Sequence, residues 1–314
     1  MQTVLVTGAL GFVPSSLAAK LLEQGYKVVG IDNFLTGRME NIEDFKDNPN
    51  WSFRRGDANK LEDLYELFYA HNPDYVYHYA ACVGVKRTLD NPLWVMADIA
   101  GFEHVLNLSK DFRVKRVFFS SSSEVYGEPV ELPQVESTTP LNSKLPYAVV
   151  KNVGEVYFKT WQQEYGLDYT IFRFFNTYGP RQSPDFVISK FMQQALRNEP
   201  ITVYGDGQQT RTFCFIDDNV DATIAAMDLD SARNEIINIG SPVITTVKEL
   251  AEIIIDITGS SSEIIHLPPL EEGDMTRRQP ANEKMRTLLL DRELVTLRDG
   301  LRRTYAALKN KLAR

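Results

Sequence analysis

Cysteine, histidine and long apolar runs are scarce in this 314-residue chain. Its two cysteines, Cys82 and Cys214, cannot supply a disulfide framework, and its four histidines have no metal-ligand spacing. No apolar run approaches the ~18 residues of a membrane span, and the N-terminal segment lacks the charged leader and apolar core of a secretory signal. A net charge of −8 at pH 7 argues against a nucleic-acid surface. These absences predict a cytoplasmic protein that uses no metal, membrane or nucleic acid.

The residues that are present are typical of a globular protein. Hydrophobic residues make up 43% and charged residues 24% of the chain, and its length suggests two domains at ~100–200 residues per domain. Short apolar runs alternate with helical patterns in the first half, and strands are predicted at Thr3–Val6, Lys27–Ile31, Tyr75–Tyr79 and Arg116–Ser120. This alternation predicts an α/β fold with a doubly wound parallel sheet.

A dinucleotide-binding turn is indicated where the first predicted strand meets the first helix. Gly8 permits a tight turn there, and Gly11 lets the backbone approach a pyrophosphate at the helix N-terminus. Asp32 ends the second strand, where a carboxylate accepts hydrogen bonds from a ribose diol and repels a 2′-phosphate. This favours NAD over NADP. Pro14 stands where a third glycine is expected and removes one N–H donor from the helix start.

The alternation of strands and helices changes after Gly179-Pro180, which gives a provisional domain boundary. We expect residues 1–178 to form the NAD-binding Rossmann domain, with a further sheet strand near residues 236–240. Residues 179–314 are expected to form mainly a smaller substrate-binding lobe, interleaved with the first domain.

Tyr147 and Lys151 are spaced to share one face of a helix. A lysine ammonium beside a phenol favours the phenolate, so we expect a lowered pKa that makes Tyr147 a general base near neutral pH. A serine run, Ser120 to Ser123, ends an apolar strand at the edge where doubly wound sheets bind ligands. A hydroxyl there can share a substrate oxygen with the tyrosine. For the first two serines a polar turn is the simpler interpretation.

With these residues and further motifs, the chain resembles the extended short-chain dehydrogenases/reductases of the nucleotide-sugar epimerase/dehydratase group. The resemblance covers nearly the whole chain. It rests on Thr7-Gly8-x-x-Gly11-Phe12, Asp32-Asn33, Gly56-Asp57, His78-Tyr79-Ala80-Ala81, Ser122-Ser123-Glu124-Val125-Tyr126-Gly127, Pro146-Tyr147-x-x-x-Lys151, Arg173-Phe174-Phe175-Asn176-x-Tyr178-Gly179-Pro180-Arg181 and Tyr204-Gly205-Asp206-Gly207-x-x-x-Arg211. Together the motifs are specific for the family and much less specific for the reaction.

The resemblance implies a role for each matching residue. Ser122, Tyr147 and Lys151 would form the catalytic triad, in which Tyr147 takes the proton of the sugar 4-hydroxyl while hydride passes to NAD. Besides Tyr147 and Lys151, the cofactor would be held by Gly8, Gly11, Phe12, Val13, Asp32, Asn33, Asp57, Ala58, Ala80 and Ala81. The nucleotide-diphosphate sugar would be held by Ser123, Asn176, Arg211 and Arg278. In this family, the equivalents of helices Leu93–Ser109 and Pro146–Tyr165 pair across a two-fold axis, which implies a homodimer.

Glu124 bears on which reaction follows the oxidation and joins the catalytic candidates. A 4-epimerase needs no carboxylate at this place, whereas a dehydratase needs a base for the C5 hydrogen of the 4-keto sugar. The triplet Ser122-Ser123-Glu124 resembles the Thr-Ser-Glu of GDP-mannose 4,6-dehydratases and UDP-glucuronate decarboxylases. The run Arg278-Gln279-Pro280-Ala281-Asn282 departs from the Arg-x-Pro-Asp-Ile run of the decarboxylases. Dehydratase-type chemistry is therefore favoured. A nucleotide-sugar 4-epimerase, a UDP-glucuronate decarboxylase and an NAD-binding regulatory relative stay as alternatives, the last disfavoured by the intact triad.

Overall fold

The computed structural model describes residues 1–268 and 277–312, which form two compact units. The first unit comprises residues 1–127, 141–174 and 220–237. The second comprises the described residues of the ranges 128–140, 175–219 and 238–314. Within residues 1–268 and 277–312, no helix is long and apolar enough to cross a membrane.

Strands and helices alternate through most of the chain. The strands are β1 Thr3–Thr7, β2 Lys27–Asp32, β3 Trp51–Arg55, β4 Tyr75–His78, β5 Arg116–Ser122, β6 Tyr169–Phe174, β7 Thr177–Tyr178, β8 Ile201–Tyr204, β9 Thr210–Thr212, β10 Cys214–Phe215, β11 Glu235–Ile239, β12 Ile244–Thr246 and β13 Ile264–Leu267. The helices are α1 Phe12–Glu23, α2 Leu61–His71, α3 Val85–Asp90, α4 Pro92–Asp111, α5 Pro146–Tyr165, α6 Val187–Leu196, α7 Ile216–Asp228, α8 Val247–Thr258, α9 Glu283–Leu288 and α10 Leu297–Leu312. Short 3₁₀ turns cover Met39–Ile42, Ser123–Tyr126 and Asp230–Ala232.

The first unit is built on a seven-stranded sheet of order β11-β6-β5-β4-β1-β2-β3. Adjacent strands from β3 to β6 run parallel. The strand order runs outward in one direction from β1 through β2 to β3 and in the other direction from β4 to β6, so it reverses between β1 and β4. Open α/β sheets bind their ligands beyond the carboxyl ends of the strands at such a point. This sheet confirms the predicted doubly wound α/β fold.

The central strands of this sheet are buried on both faces, which explains their continuous apolar runs. On one face Val76 and Phe119 join a core that also takes in buried residues of α2, α4 and α5. On the other face the rings of Tyr77 and Phe118 stack with centroids 4.3 Å apart. There the Tyr77 hydroxyl donates a hydrogen bond of 2.9 Å to the carbonyl of Thr223 on α7.

A glycine lets α5 lie close against the sheet and against α4. A Cβ added at Gly154 would be 2.5 Å from Cζ of Phe119 on β5 and 3.1 Å from Cε2 of Phe102 on α4. Tyr147 and Lys151 precede this glycine on α5. The close packing therefore brings the N-terminal half of α5 to the carboxyl end of β5.

The second unit contains three two-stranded pairs and four helices among its described residues. β7 pairs with β10 and β8 with β13 in parallel, while β9 and β12 are antiparallel. Helix α8 begins with a reciprocal cap, in which Thr246 Oγ1 accepts the Glu249 N–H and the Glu249 carboxylate accepts the Thr246 N–H. β9 carries Arg211, one of the predicted substrate residues.

Candidate active site

The carboxyl ends of β1 and β4 are held together at the predicted cofactor turn. Thr7 Oγ1 accepts the backbone N–H groups of Tyr79 and Ala80, each at 3.0 Å. Gly8 has a positive φ of 68°, and a Cβ there would be 2.8 Å from Cα of Ala80. Only glycine fits this approach, which leaves a bare backbone surface beside the turn.

Helix α1 begins directly after this turn, so the positive end of the helix dipole lies at the turn. Gly11 is its N-cap, no side chain caps it, and its first turn holds no acidic residue. The N–H groups of Phe12 and Val13 stand in the first turn, where a helix supplies no acceptor. Pro14 lies third in the helix and is buried, with Cγ 3.1 Å from where a Gly11 Cβ would be. The bare turn and the uncapped helix fit a pyrophosphate without a third glycine.

Asp32 ends β2 and is buried. Its carboxylate accepts the Leu10 N–H at 3.0 Å and the Phe34 N–H at 2.7 Å. Burial raises the pKa of this carboxyl, and the two backbone hydrogen bonds lower it. Each carboxylate oxygen has two lone pairs, so acceptor capacity is left for a ribose diol.

The other predicted cofactor residues lie on loops at the same edge of the sheet. Asn33 is exposed, and its Oδ1 accepts the Leu35 N–H at 2.9 Å. Asp57 follows β3, and its Oδ1 accepts the Asn59 N–H at 3.0 Å. The remaining three follow β3 or β4 and are buried or half-buried: Ala58, Ala80 and Ala81.

Lys151 is a buried cation at the end of β5. Its Nζ donates to the carbonyl of Ser120 at 2.6 Å and lies 4.8 Å from the ring centroid of Phe119 and 5.8 Å from that of Tyr147. Burial lowers the pKa of Lys151 to about 8, and the charge of Asp98 raises it in part. Ser120 and Ser121 are strand residues of β5, so the polar-turn interpretation is wrong, and the Ser120 carbonyl is an acceptor for the Lys151 ammonium.

The pKa of Tyr147 is raised, opposite to the expectation from its lysine neighbour. Desolvation is the largest cause, and the charges of Glu124 and Asp98 raise the pKa further. A hydrogen bond with Ser122 lowers it. Burial and the two carboxylates outweigh the Ser122 hydrogen bond, so the phenol holds its proton at neutral pH in the protein alone.

The segment that carries Glu124 is a single 3₁₀ turn directly after β5. Ser122 caps this turn, because its Oγ accepts the Glu124 N–H at 3.2 Å. Ser123 is buried, and Glu124 is half-buried with its charge near Tyr147. The structure therefore brings the predicted triad and the predicted C5 base to one place.

The remaining predicted substrate residues belong to the second unit. Asn176 has a φ of 28°, and its side-chain amide donates to the Thr212 carbonyl on β9 at 3.0 Å. Arg211 lies on β9 beside Thr212 and is half-buried. Arg278 is buried, whereas its neighbour Arg277 is exposed. Asn176 and the strand that carries Arg211 are thus brought together in this unit.

Asp98 is a site residue that the sequence reasoning missed. It is buried on α4, and its Oδ2 accepts the Cys82 N–H at 3.0 Å while Oδ1 accepts the Asn59 side-chain amide at 3.3 Å. Its charge acts on both Lys151 and Tyr147. A signal was available, since Asp98 interrupts the apolar stripe of α4 one turn before Phe102.

We expect Asp98→Asn to move the whole pH profile of NAD reduction toward lower pH. Asparagine keeps an oxygen for the Cys82 N–H but removes a negative charge that raises the pKa of both Lys151 and Tyr147. Both groups then lose their protons at lower pH, so the acidic and alkaline limbs shift in the same direction. Stopped-flow absorbance of NADH measures the profile.

The matched control is Asp111→Asn at the other end of α4, which neutralises an exposed carboxylate paired with Lys110. This variant should leave the acidic and alkaline limbs of the pH profile at their wild-type positions. The other titratable groups around Lys151 and Tyr147 are unchanged in both variants: Glu124, His78 and Cys82. An Asp98→Asn profile that superposes on that of the wild type contradicts the electrostatic role.

Comparison with known proteins agrees with this geometry. The model of the NAD dependent epimerase/dehydratase family matches residues 4–240. The chain is 33% identical over 312 residues to UDP-glucose 4-epimerase of Mycolicibacterium smegmatis, covering 98% of each chain. It is 34% identical over 317 residues to UDP-glucuronic acid decarboxylase 1 of Arabidopsis thaliana, covering 98% of this chain and 70% of the relative.

A solved structure shares the whole fold. The crystal structure of UDP-glucuronic acid 4-epimerase from Bacillus cereus, in complex with UDP-glucuronic acid and NAD, superposes with a TM-score of 0.90 at 32% identity. The match covers 99% of this chain and 100% of that chain. The cofactor expected from Asp32 and the glycine turn is therefore the one that this family uses. The chain belongs to the NAD-dependent epimerase/dehydratase family, the extended short-chain dehydrogenases/reductases that act on nucleotide sugars with NAD.

Proposed function

We propose that the protein oxidises C4 of a UDP-sugar and then eliminates water across C5 and C6, with Glu124 as the base at C5. The observation that carries this proposal is the position of Glu124, which the 3₁₀ turn after β5 places beside Tyr147. The relatives and the solved structure named above act on UDP-sugars by their names, and this supports uridine as the nucleoside.

The first step is removal of the 4-hydroxyl proton and of the C4 hydride. NAD, when bound, supplies the hydride acceptor. Tyr147 takes the proton, Ser122 hydrogen-bonds to the phenol, and the Lys151 ammonium offsets the charge that develops on the phenolate. The raised pKa of Tyr147 makes the phenolate that this step needs scarce at neutral pH, but a phenolate once formed is a strong base for the 4-hydroxyl.

The second step uses the acidity that the ketone gives to C5. Glu124 removes the C5 proton, and the 6-hydroxyl leaves as water when Glu124 returns that proton to it. The double bond between C5 and C6 would then accept the hydride at C6 and a proton from solvent at C5, while Tyr147 releases the 4-hydroxyl proton to solvent. The product is a 4-keto-6-deoxy sugar, and the cofactor ends in its starting oxidation state.

A 4-epimerase is the second candidate. It is favoured by the relative and the solved structure that carry this name at 33% and 32% identity over nearly the whole chain. This reaction needs only Ser122, Tyr147 and Lys151, because the hydride returns to the opposite face of C4. A uronate substrate would add a third outcome, loss of CO₂ from the 4-keto intermediate, as the name of the decarboxylase relative indicates.

One assay separates these outcomes. The purified protein is incubated with UDP-glucose, UDP-N-acetylglucosamine and UDP-glucuronic acid in deuterated solvent, and the products are analysed by mass spectrometry. Loss of water with deuterium at C5 supports the proposal. Conversion without loss of mass and without deuterium identifies a 4-epimerase, and loss of CO₂ identifies a decarboxylase. Bound NAD without turnover of any of these sugars identifies a non-catalytic relative.

Glu124→Gln should abolish the C5 step and spare the C4 step. The change is nearly isosteric, and hydride transfer depends on Ser122, Tyr147 and Lys151. Exchange at C5 should fall by a factor on the order of 10²–10⁴, the usual contribution of a positioned general base. NADH and a 4-keto sugar should accumulate, as read by absorbance and mass. Glu128→Gln, at an exposed position just past the turn, is the control and should behave as wild type. Full C5 exchange in Glu124→Gln contradicts the assignment.

Asp32→Ala should weaken NAD binding and relax discrimination against NADP. The variant loses the acceptor for the ribose diol and the charge that repels a 2′-phosphate. Fluorescence titration with both cofactors measures the ratio of dissociation constants. Asp32→Asn keeps an oxygen for the Leu10 or Phe34 N–H, so it separates loss of charge from loss of the turn. An unchanged ratio in both variants refutes the assignment.

We also propose that the protein is a homodimer through α4 and α5. The two helices pack on each other in the first unit, yet they keep large apolar side chains exposed, with Leu93 at 80% and Val156 at 56%. The other exposed large hydrophobic residues on these helices are Trp94, Met96, Val149 and Tyr165. A two-fold pairing of the helices would remove this surface from water.

Leu93→Glu and Val156→Glu should each shift the protein from dimer to monomer in analytical ultracentrifugation. A buried carboxylate without a partner opposes association, because its desolvation is not compensated. Leu61→Glu on α2 replaces another exposed leucine and should leave the dimer intact. A wild-type monomer at micromolar concentration contradicts the proposal.

A cytoplasmic location is proposed on the state of the cysteines. Cys82 and Cys214 are both buried and free. Free thiols fit a reducing compartment, where disulfides are rare. The substrates proposed here carry a nucleoside diphosphate, which the enzyme would meet in the same compartment as NAD.

A further inference from the structure

A buried charged network connects four elements of the first unit: β5, β6, α5 and the 3₁₀ turn Ser123–Tyr126. The Arg173 guanidinium on β6 donates to the Glu155 carboxylate on α5 through Nε at 2.9 Å and Nη2 at 2.7 Å. Ser121 Oγ on β5 donates to the same carboxylate at 2.6 Å. Through Nη1 the guanidinium donates to the hydroxyl of Tyr126 at 2.9 Å, and it lies 4.8 Å from the centroid of that ring. Arg173 and Glu155 are only 2% and 1% exposed.

One end of this network lies on the catalytic helix. Tyr147, Lys151 and Glu155 recur every four residues on α5 and share one face. The other end lies on the 3₁₀ turn Ser123–Tyr126, whose second residue is Glu124. The network therefore joins the helix that carries the C4 base to the turn that carries the C5 base.

The two ends of the turn are fixed in different ways. Its start is capped by Ser122 Oγ, which accepts the Glu124 N–H. At its end, the Tyr126 hydroxyl accepts a hydrogen bond from Arg173. Gly127 follows, and a Cβ there would be 2.8 Å from the backbone nitrogen of Ser143. The backbone of Glu124 is thus held between a cap at the strand end and a link to α5.

A buried ion pair is a weak source of stability, because the cost of removing both charges from water offsets their attraction. Its bidentate geometry is a strong source of fixed orientation, since the planar guanidinium matches the carboxylate and has donors left for further partners. The Arg173–Glu155 pair uses such a donor for Tyr126. The pair is therefore suited to fix the orientation of the 3₁₀ turn rather than to stabilise the fold.

We propose that Glu155 and Arg173 are positioning residues that hold Tyr126 and thereby fix the Glu124 carboxylate relative to Tyr147. This inference rests on the proposed role of Glu124 at C5. The network touches the C5 base through the turn, whereas Ser122 and Lys151 meet Tyr147 without passing through Tyr126. Loss of the Tyr126 link should then slow the C5 step and spare the C4 step, a division that general destabilisation would not produce.

The test is Tyr126→Phe, which removes one hydroxyl and leaves both the Arg173–Glu155 pair and the aromatic ring in place. The variant is assayed with whichever of UDP-glucose, UDP-N-acetylglucosamine and UDP-glucuronic acid the wild type converts. Deuterium incorporation at C5 should fall about 10- to 100-fold, the scale of loss when a catalytic group is misplaced by about 1 Å. NAD reduction in the first half-reaction should stay within about threefold of wild type.

Two further variants complete the experiment. The control is Tyr178→Phe, which removes a buried tyrosine hydroxyl that donates to the Leu297 carbonyl at 3.2 Å in the second unit. It should leave the rates of C5 exchange and NAD reduction, and their ratio, unchanged. Arg173→Lys keeps the charge but cannot hold Glu155 and Tyr126 with the same fork, and should lower the ratio of C5 exchange to NAD reduction as Tyr126→Phe does. Tight binding of NAD confirms that each variant is folded.

The outcomes are distinct. If Glu124→Gln loses C5 exchange and Tyr126→Phe keeps it, or if Tyr126→Phe slows both steps equally, the positioning role is wrong and the proposed function stands. If Glu124→Gln keeps C5 exchange, the proposed function itself is wrong, and the positioning inference falls with it. Selective loss of C5 exchange in Glu124→Gln, Tyr126→Phe and Arg173→Lys supports both.

Discussion

The burial of one cation, Lys151, organises the end of the sheet. An ammonium removed from water needs acceptors and opposite charge, and it finds the Ser120 carbonyl at 2.6 Å and the carboxylate of Asp98 on α4. Burial, with a smaller contribution from the same positive charge, lowers the pKa of His78 on β4 to about 3, so that imidazole adds no second charge. Strand ends, α4 and α5 must hold these groups together for the lysine to stay charged near neutral pH.

This constraint sets the electrostatics of the phenol. The carboxylate of Asp98 that supports the lysine also raises the pKa of Tyr147, and Glu124 adds to it. Sequence spacing alone predicts a lowered pKa from the lysine neighbour, and that prediction fails because it omits burial and both carboxylates. The resulting site holds a proton firmly at the phenol. A reaction that takes a proton from C4 and later gives one back needs both directions, and no single pKa is best for both.

The sequence was sufficient to predict the fold, and it was insufficient to predict the contacts of polar groups placed within apolar patterns. Strand and helix periodicity predicted the doubly wound sheet, and the helix predicted at Pro146–Tyr165 has those bounds. The sequence predicted no role for Asp98, Arg173 or Glu155, because Asp98 and Glu155 lie in helices identified mainly by their apolar residues and the motif that contains Arg173 gives it no contact. Their partners come from distant segments, and hydrogen-bond geometry is not visible in spacing. The single-turn elements, such as α3 and Ser123–Tyr126, are also too short for periodicity to predict.

The same physics explains why the family is easier to assign than the reaction. The proposed C4 oxidation would use Ser122, Tyr147 and Lys151 whatever the outcome, so neither the fold nor this triad distinguishes epimerisation from elimination or decarboxylation. The outcome depends on what happens to the ketone before the hydride returns, and that depends on which atom a second group can reach. In the first unit, Glu124 is an acidic side chain that the strand end itself presents beside the phenol. A short turn tied to α5 through Arg173 is a suitable support for such a group, because a base at C5 must act in register with the acid and base at C4.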